Sequence, residues 1–226
     1  MEHILAKISI MLVPALLAIT LHEVAHGYVA ERLGDPTARL LGRLTLNPFK
    51  HLDPIGTVAL LFVGFGWARP VPVNFGNLRH PKKDMIWVAL AGPLMNFSLA
   101  VLSMLLLKSF TFLGHYFPSG TVALILQPLS LMAAFGLYIN VILAVFNMLP
   151  IPPLDGGRVL IGLLPEKQGD FLARFESFGF VIIIFAIFAT PVWPMLLQPV
   201  ISFVVGMLAG SDLDVVVRVV TFLFSH

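Results

Sequence analysis

The chain has 226 residues, 58% of them hydrophobic and 12% charged. Soluble domains run at roughly half apolar and about a quarter charged, so this composition excludes one soluble core hiding its apolar side chains. A net charge of +2 gives no ground for nucleic-acid binding, and the absence of cysteine excludes disulfides and thiolate metal sites, leaving His, Asp and Glu as metal ligands.

A bilayer core about 30 Å thick takes roughly 20 apolar residues in helix. The first predicted span runs from about Ile4 to Leu33 and stops at Gly34-Asp35-Pro36. Lys7 and the apolar run Ile8 to Leu21 resemble a secretory signal. The run continues without a turn into HEVAHGYVAERLG, so cleavage is not expected. The second span runs from about Met85 to Leu107, interrupted by Asn96, Ser98 and Ser103. The third runs from about Val122 to Leu149 and ends against Pro150. A fourth begins near Phe178 and meets breaks at Pro191 and Pro194. Ile201 to Leu208 is a further short apolar segment, and Asp212 to Phe224 is predicted as an amphipathic surface helix.

The stretch from Glu31 to Asp84 is polar and holds Arg32, Arg39, Arg43, Lys50, Arg69, Arg79, Lys82 and Lys83. The loop between the second and third spans holds little more than Lys108. The positive-inside rule therefore puts the 31–84 region and the loop after Pro150 on the cytoplasmic side, with the N-terminus outside. Thr37 to Leu46 and Arg69 to Asn74 are predicted as short edge strands, with prolines where a ladder donor is missing. Ile55 to Trp67 is apolar but too short to span, which suits a re-entrant or interfacial segment. With no internal repeat, the expectation is one membrane domain over 1–226. Its core lies at about 1–165 and a C-terminal membrane segment at about 175–226.

In HEVAH, His22 and His26 stand at i and i+4, on one helical face, where two imidazoles can converge on a metal ion. Glu23 beside them can accept the proton of a zinc-activated water as it attacks a carbonyl. Charged groups inside a membrane span are costly and mark function. A catalytic zinc site needs a third protein ligand. The soluble patterns fail here: Val29 and Arg32 stand where an extended motif needs Gly and His, and after Glu31 the next glutamate is Glu166. The remaining acids near the matching predicted side of the membrane are Asp35, Asp53, Asp84, Asp155 and Asp170, with His51 and His80 as further candidates.

Asp155 fits best. It follows Pro150, Pro152 and Pro153, which stop the third helix, and it precedes Gly156-Gly157, which allow a tight turn. Freed backbone at that depth needs a protein-lined or watery cavity, and Asp155 and HEVAH fall on the same predicted side. Asp53 before Pro54 reads as a cap, and His51 beside Lys50 as a surface residue. His3, His115 and His226 belong to no constellation. Asn96 is either an interhelical bond former or a pocket-lining donor.

HEVAH, AGPLMN at Ala91 to Asn96 and NMLPIPPLDGG at Asn147 to Gly157 together resemble the site-2 proteases, intramembrane zinc metalloproteases. LNPFKHLDPIGT and WARPVPVN resemble the compact bacterial branch that lacks a PDZ domain. The resemblance covers about three-quarters of the chain. It implies a three-helix catalytic core in the first three spans, so the expected fold is an α-helical multi-pass membrane protein with that core, at least one further C-terminal transmembrane helix and a small membrane-associated β element. It implies one zinc ion per chain on His22, His26 and Asp155, Glu23 as catalytic acid/base, and Asn147 as a substrate or oxyanion donor, with Asn96 a second candidate. The implied substrates are membrane proteins, single-pass ones foremost, cut in the cell membrane near its cytoplasmic face. Two other readings stand beside endopeptidase. One is an ion or solute transporter, which would more often show paired repeats. The other is an inactive scaffold that binds membrane helices.

Overall fold

The computed structural model describes residues 2–63 and 66–224. His226 and the side chain of His3 lie outside the description, as do Gly64 and Phe65 of the predicted Ile55–Trp67 segment. The helices are α1 (Glu2–Arg32), α2 (Thr37–Leu40), α3 (Pro54–Val63), α4 (Pro81–Tyr116), α5 (Thr121–Asn147), α6 (Asp155–Leu163), α7 (Glu166–Ala173), α8 (Glu176–Ala189), α9 (Gln198–Ala209) and α10 (Leu213–Phe224).

Among the described residues, four helical stretches are long and apolar enough to cross a membrane: Leu5–Arg32, Pro81–Tyr116, Thr121–Asn147 and Trp193–Phe224. The chain is therefore a helical, multi-pass membrane protein. Leu5, Leu12 and Leu17 on α1, and Phe97, Leu102 and Leu105 on α4, are exposed, as a lipid-facing surface requires. The segment predicted from Phe178 is shorter than expected: α8 has 14 residues and ends before Pro191. The last stretch is interrupted by Gly210, at φ 58°, and splits into α9 and α10 of 12 residues each. On α10, Val216, Val219 and Leu223 are buried along one face while Asp214 and Arg218 pair on the other, which is the amphipathic pattern expected there.

The chain divides into two compact units. One comprises Met1–Ala18, Asn96–Val145 and Pro194–His226. Its helices approach through small residues: a Cβ on Gly136 would stand 2.8 Å from Ser103 Oγ. Asn96 is fully buried there, and its Nδ2 donates to the Ala18 carbonyl (3.2 Å) and to Asn140 Oδ1 (2.9 Å). Asn140 Nδ2 in turn donates to the Gly136 carbonyl at 2.8 Å.

The other unit comprises Ile19–Met95 and Phe146–Trp193. Its polar segment is organised by Asp35, which is 0% exposed. Asp35 Oδ1 accepts from the N–H and hydroxyl of Thr37, so that Thr37–Leu40 turns as α2 and does not run as the expected strand. Residues 69–74 form no ladder either, because Pro70 and Pro72 have no N–H to donate. Among the described residues β pairing is limited to one bridge, Leu52 with Ala68, so the small β element expected from the sequence is not a sheet. Asp53 caps α3 through Gly56 N–H (2.8 Å), and Asp84 Oδ2 accepts from His80 N–H at the start of α4 (2.8 Å). His51, read from the sequence as a surface residue, is fully buried; its ring bonds the Thr45 carbonyl at 2.8 Å and its backbone carbonyl holds Arg69 N–H.

Candidate metal centre

His22 and His26 lie on one face of α1, one turn apart, with ring centroids 4.7 Å apart and planes at 84°. Their Nε2 atoms are 3.0 Å apart. Asp155, the first residue of α6, brings Oδ2 to 3.2 Å from His22 Nε2 and Oδ1 to 3.3 Å from His26 Nε2. All three side chains are buried, and among the described residues they form the one convergent group of metal-ligating side chains. Asp35, Asp53 and Asp84 serve as caps and tethers away from this group.

The surroundings set the orientation of each ligand. His26 Nδ1 donates to the Val88 carbonyl of α4 at 2.6 Å, which leaves Nε2 with a lone pair directed at the group. Gly92, one turn further along α4, stands where a Cβ would lie 2.3 Å from His26 Nε2 and 2.6 Å from His22 Nε2. Asp155 is delivered by the proline-rich loop after α5. A Cβ on Gly156 would stand 2.2 Å from the Met148 carbonyl oxygen, so only glycine lets the first turn of α6 close on that loop. The far end of α6 is tied to α4, where Lys82 Nζ donates to the Leu164 carbonyl and Gly162 packs on Ile86.

These residues fit a zinc ion. Tetrahedral bonds of about 2.0–2.1 Å set ligand atoms about 3.3 Å apart, close to the three separations here. Asp155 Oδ2 is buried without a hydrogen-bond partner, although His22 Nε2 is only 3.2 Å away, so a cation between them satisfies it. Burial pushes the Asp155 carboxyl up, but the charge and contacts of His26 and His22 outweigh burial and hold it well below the usual range, ready to ligate.

Glu23 is half-buried and its Oε2 accepts the N–H of Val71 at 2.8 Å. Asn147 is the half-buried last residue of α5, in the same unit as His22, His26 and Asp155. Asn96 lies in the other unit, its amide engaged with Ala18 and Asn140. Val88, Gly92 and the Val71 N–H were not anticipated. Gly92 sits inside the AGPLMN motif, one helical turn after Val88, and that spacing was the available signal.

Residues 116–190, which include Asp155 but not HEVAH, match Peptidase family M50. The protein named "Putative zinc metalloprotease YwhC" of Bacillus subtilis (strain 168) is 39% identical over 197 residues, 85% of this chain and 88% of that protein. "Putative zinc metalloprotease Rip2" of Mycolicibacterium smegmatis is 35% identical over 179 residues, covering 75% of this chain and 62% of that protein. "Zinc metalloprotease MJ0392" of Methanocaldococcus jannaschii is 26% identical over 161 residues, covering 71% and 36% respectively. No solved structure matches the chain. With a relative this similar over nearly its whole length, the chain belongs to peptidase family M50, the site-2 protease family.

Proposed function

We propose that this chain, a zinc metalloprotease of family M50, is an endopeptidase that cuts membrane proteins within or beside their transmembrane helices. The observation that carries the reading is the convergence of His22 Nε2 and His26 Nε2, on a helix of membrane-spanning length that also carries Glu23, with the Asp155 carboxylate from α6. The excess of Lys and Arg in the 31–84 region supports a cytoplasmic position for the site, in the cell membrane.

Bound zinc supplies Lewis acidity, lowering the pKa of a water to about 7 and polarising the scissile carbonyl. His22, His26 and Asp155 would hold it, and the Val88 carbonyl fixes the His26 ring with Nε2 facing the other two side chains. Glu23 takes the proton as water attacks the carbonyl carbon and returns it to the amine nitrogen as the C–N bond breaks. The Asn147 amide is the candidate donor to the developing oxyanion. A substrate helix buries its peptide groups, so it must unwind locally before attack. Among the described residues, the carbonyls of residues 70–73 and the N–H of Val73 are the groups left to pair with an unwound strand.

The experiment is Glu23→Gln against wild type with a co-expressed single-pass substrate. Cleavage should fall by roughly 100-fold or more while zinc content stays that of the wild type. Cleavage at the wild-type rate would remove Glu23 from the mechanism.

A further inference from the structure

The general base is not left free on its helix. Val71 lies between two residues without a backbone donor, Pro70 and Pro72, and its N–H donates to Glu23 Oε2 at 2.8 Å. Both ends of this segment are anchored. Arg69 N–H donates to the buried His51 at its carbonyl (2.8 Å), and the Arg69 carbonyl accepts from Arg43 Nη2 (2.9 Å). At the other end Asn74 N–H donates to Asp35 Oδ2 (2.7 Å), and Asn77 Nδ2 donates to Oδ1 of the same carboxylate (2.9 Å). The Val71 side chain is buried against α1 at Gly27, one turn past Glu23. A Cβ on Gly27 would stand 2.8 Å from Val71 Cγ1 and 2.6 Å from Leu44 Cδ2, so the segment reaches Glu23 because position 27 has no side chain.

A half-buried glutamate on a helix samples several rotamers. One fixed donor on one oxygen selects among them, and in catalysis a misplacement of about 1 Å can cost on the order of 100-fold in rate. We propose that residues 69–74 are a positioning strap whose Val71 N–H holds Glu23 Oε2 and thereby aims Oε1 for proton transfer. Pro70 and Pro72 stiffen the strap on either side of the donor, since each fixes its own φ. Val71 is a positioning residue, acting through Glu23, and the proposal rests on Glu23 being the general base.

The test uses the full chain in proteoliposomes, with a single-pass peptide substrate, and reads kcat, KM and zinc content. Val71→Pro removes the N–H and keeps an extended φ, whereas Val71→Ala keeps the N–H and trims the packing. Replacing Val71 by its α-hydroxy acid through nonsense suppression turns the N–H into an ester oxygen and keeps the side chain, and it makes the Pro70 carbonyl a weaker acceptor, an effect on substrate pairing that is read in KM. The ester and Val71→Pro should lower kcat about tenfold or more with zinc content unchanged and a smaller effect on KM, and Val71→Ala should lose less in kcat than either. An ester enzyme with wild-type or raised kcat, or with its loss confined to KM, overturns the strap; the ester decides should Val71→Pro lose zinc or fold poorly. Glu23→Gln, run alongside, separates the two failures. An active Glu23→Gln sinks the general-base reading, whereas an inactive Glu23→Gln beside a fully active ester sinks the strap alone.

Discussion

Gly92 stands on α4 where a Cβ would lie 2.3 Å from His26 Nε2, closer than any Cβ contact can be. The space in front of the two imidazoles exists because this position has no side chain. Gly92→Ala must therefore push the rings apart or fill the place of the ion. Metal affinity should fall on the order of 10- to 100-fold, the usual range for changes that disturb ligand orientation. Zinc titration of the purified variant against a competing chelator checks this. An unchanged affinity would mean that the ion sits elsewhere.

Asp155 is the proposed ligand that comes from α6 to the helix carrying the two histidines. Asp155→Asn keeps its shape but loses the charge, and leaves two neutral imidazoles and an amide to hold a divalent cation. Zinc content after dialysis should drop from about one per chain, the complement of a catalytic site, to a small fraction of that, and activity should drop with it. The contrast with Glu23→Gln, expected to keep zinc and lose activity, would assign ligand and base separately.

Much of this arrangement is legible in the sequence, for physical reasons. The i, i+4 spacing of His22 and His26 puts two rings on one face in any helix. The charge bias puts the ends of the first and third spans on one side, which brings Asp155 near without any coordinates. What is hidden depends on the backbone. Val71 N–H and the Val88 carbonyl carry no side-chain signal. Prolines at 70 and 72 suit an edge strand in the sequence, yet they also strip the segment of the donors that a ladder needs. His51 looked exposed beside Lys50, but its backbone carbonyl receives Arg69 and the closing chain buries the ring. Helix α4 begins at Pro81 and runs to Tyr116, beyond both predicted ends, because Pro suits a first helical position and Lys108 can carry its charge to the interface.

Asp35 gives the strap a pH dependence. Burial pushes its carboxyl up, but the hydrogen bonds from Thr37, Asn77 and Asn74 N–H outweigh burial and hold the folded pKa below the ordinary value. A depressed folded pKa stabilises the fold at pH above the unfolded value of about 3.9 and loses that contribution as pH falls through the folded pKa. Asp35→Asn should thus melt below wild type at pH 6, and the gap should close as the pH is lowered below about 4. A gap independent of pH over that range would remove the carboxylate's charge from the account.

Asn96 and Asn140 offer the means of separating a structural from a substrate-binding role. Asn96 is fully buried, and its Nδ2 reaches Asn140 Oδ1 at 2.9 Å and the Ala18 carbonyl at 3.2 Å. Interhelical hydrogen bonds in membranes contribute about 0.6 kcal/mol on average and up to about 1.7. Asn96→Ala should destabilise the chain by about 1 kcal/mol, and the Asn96→Ala/Asn140→Ala cycle should show a coupling of similar size. If bonding between helices is the whole of its role, the folded Asn96→Ala enzyme retains wild-type kcat and KM at permissive temperature. A fall in kcat or a rise in KM in enzyme shown to be folded and zinc-loaded would instead put the Asn96 amide in contact with substrate.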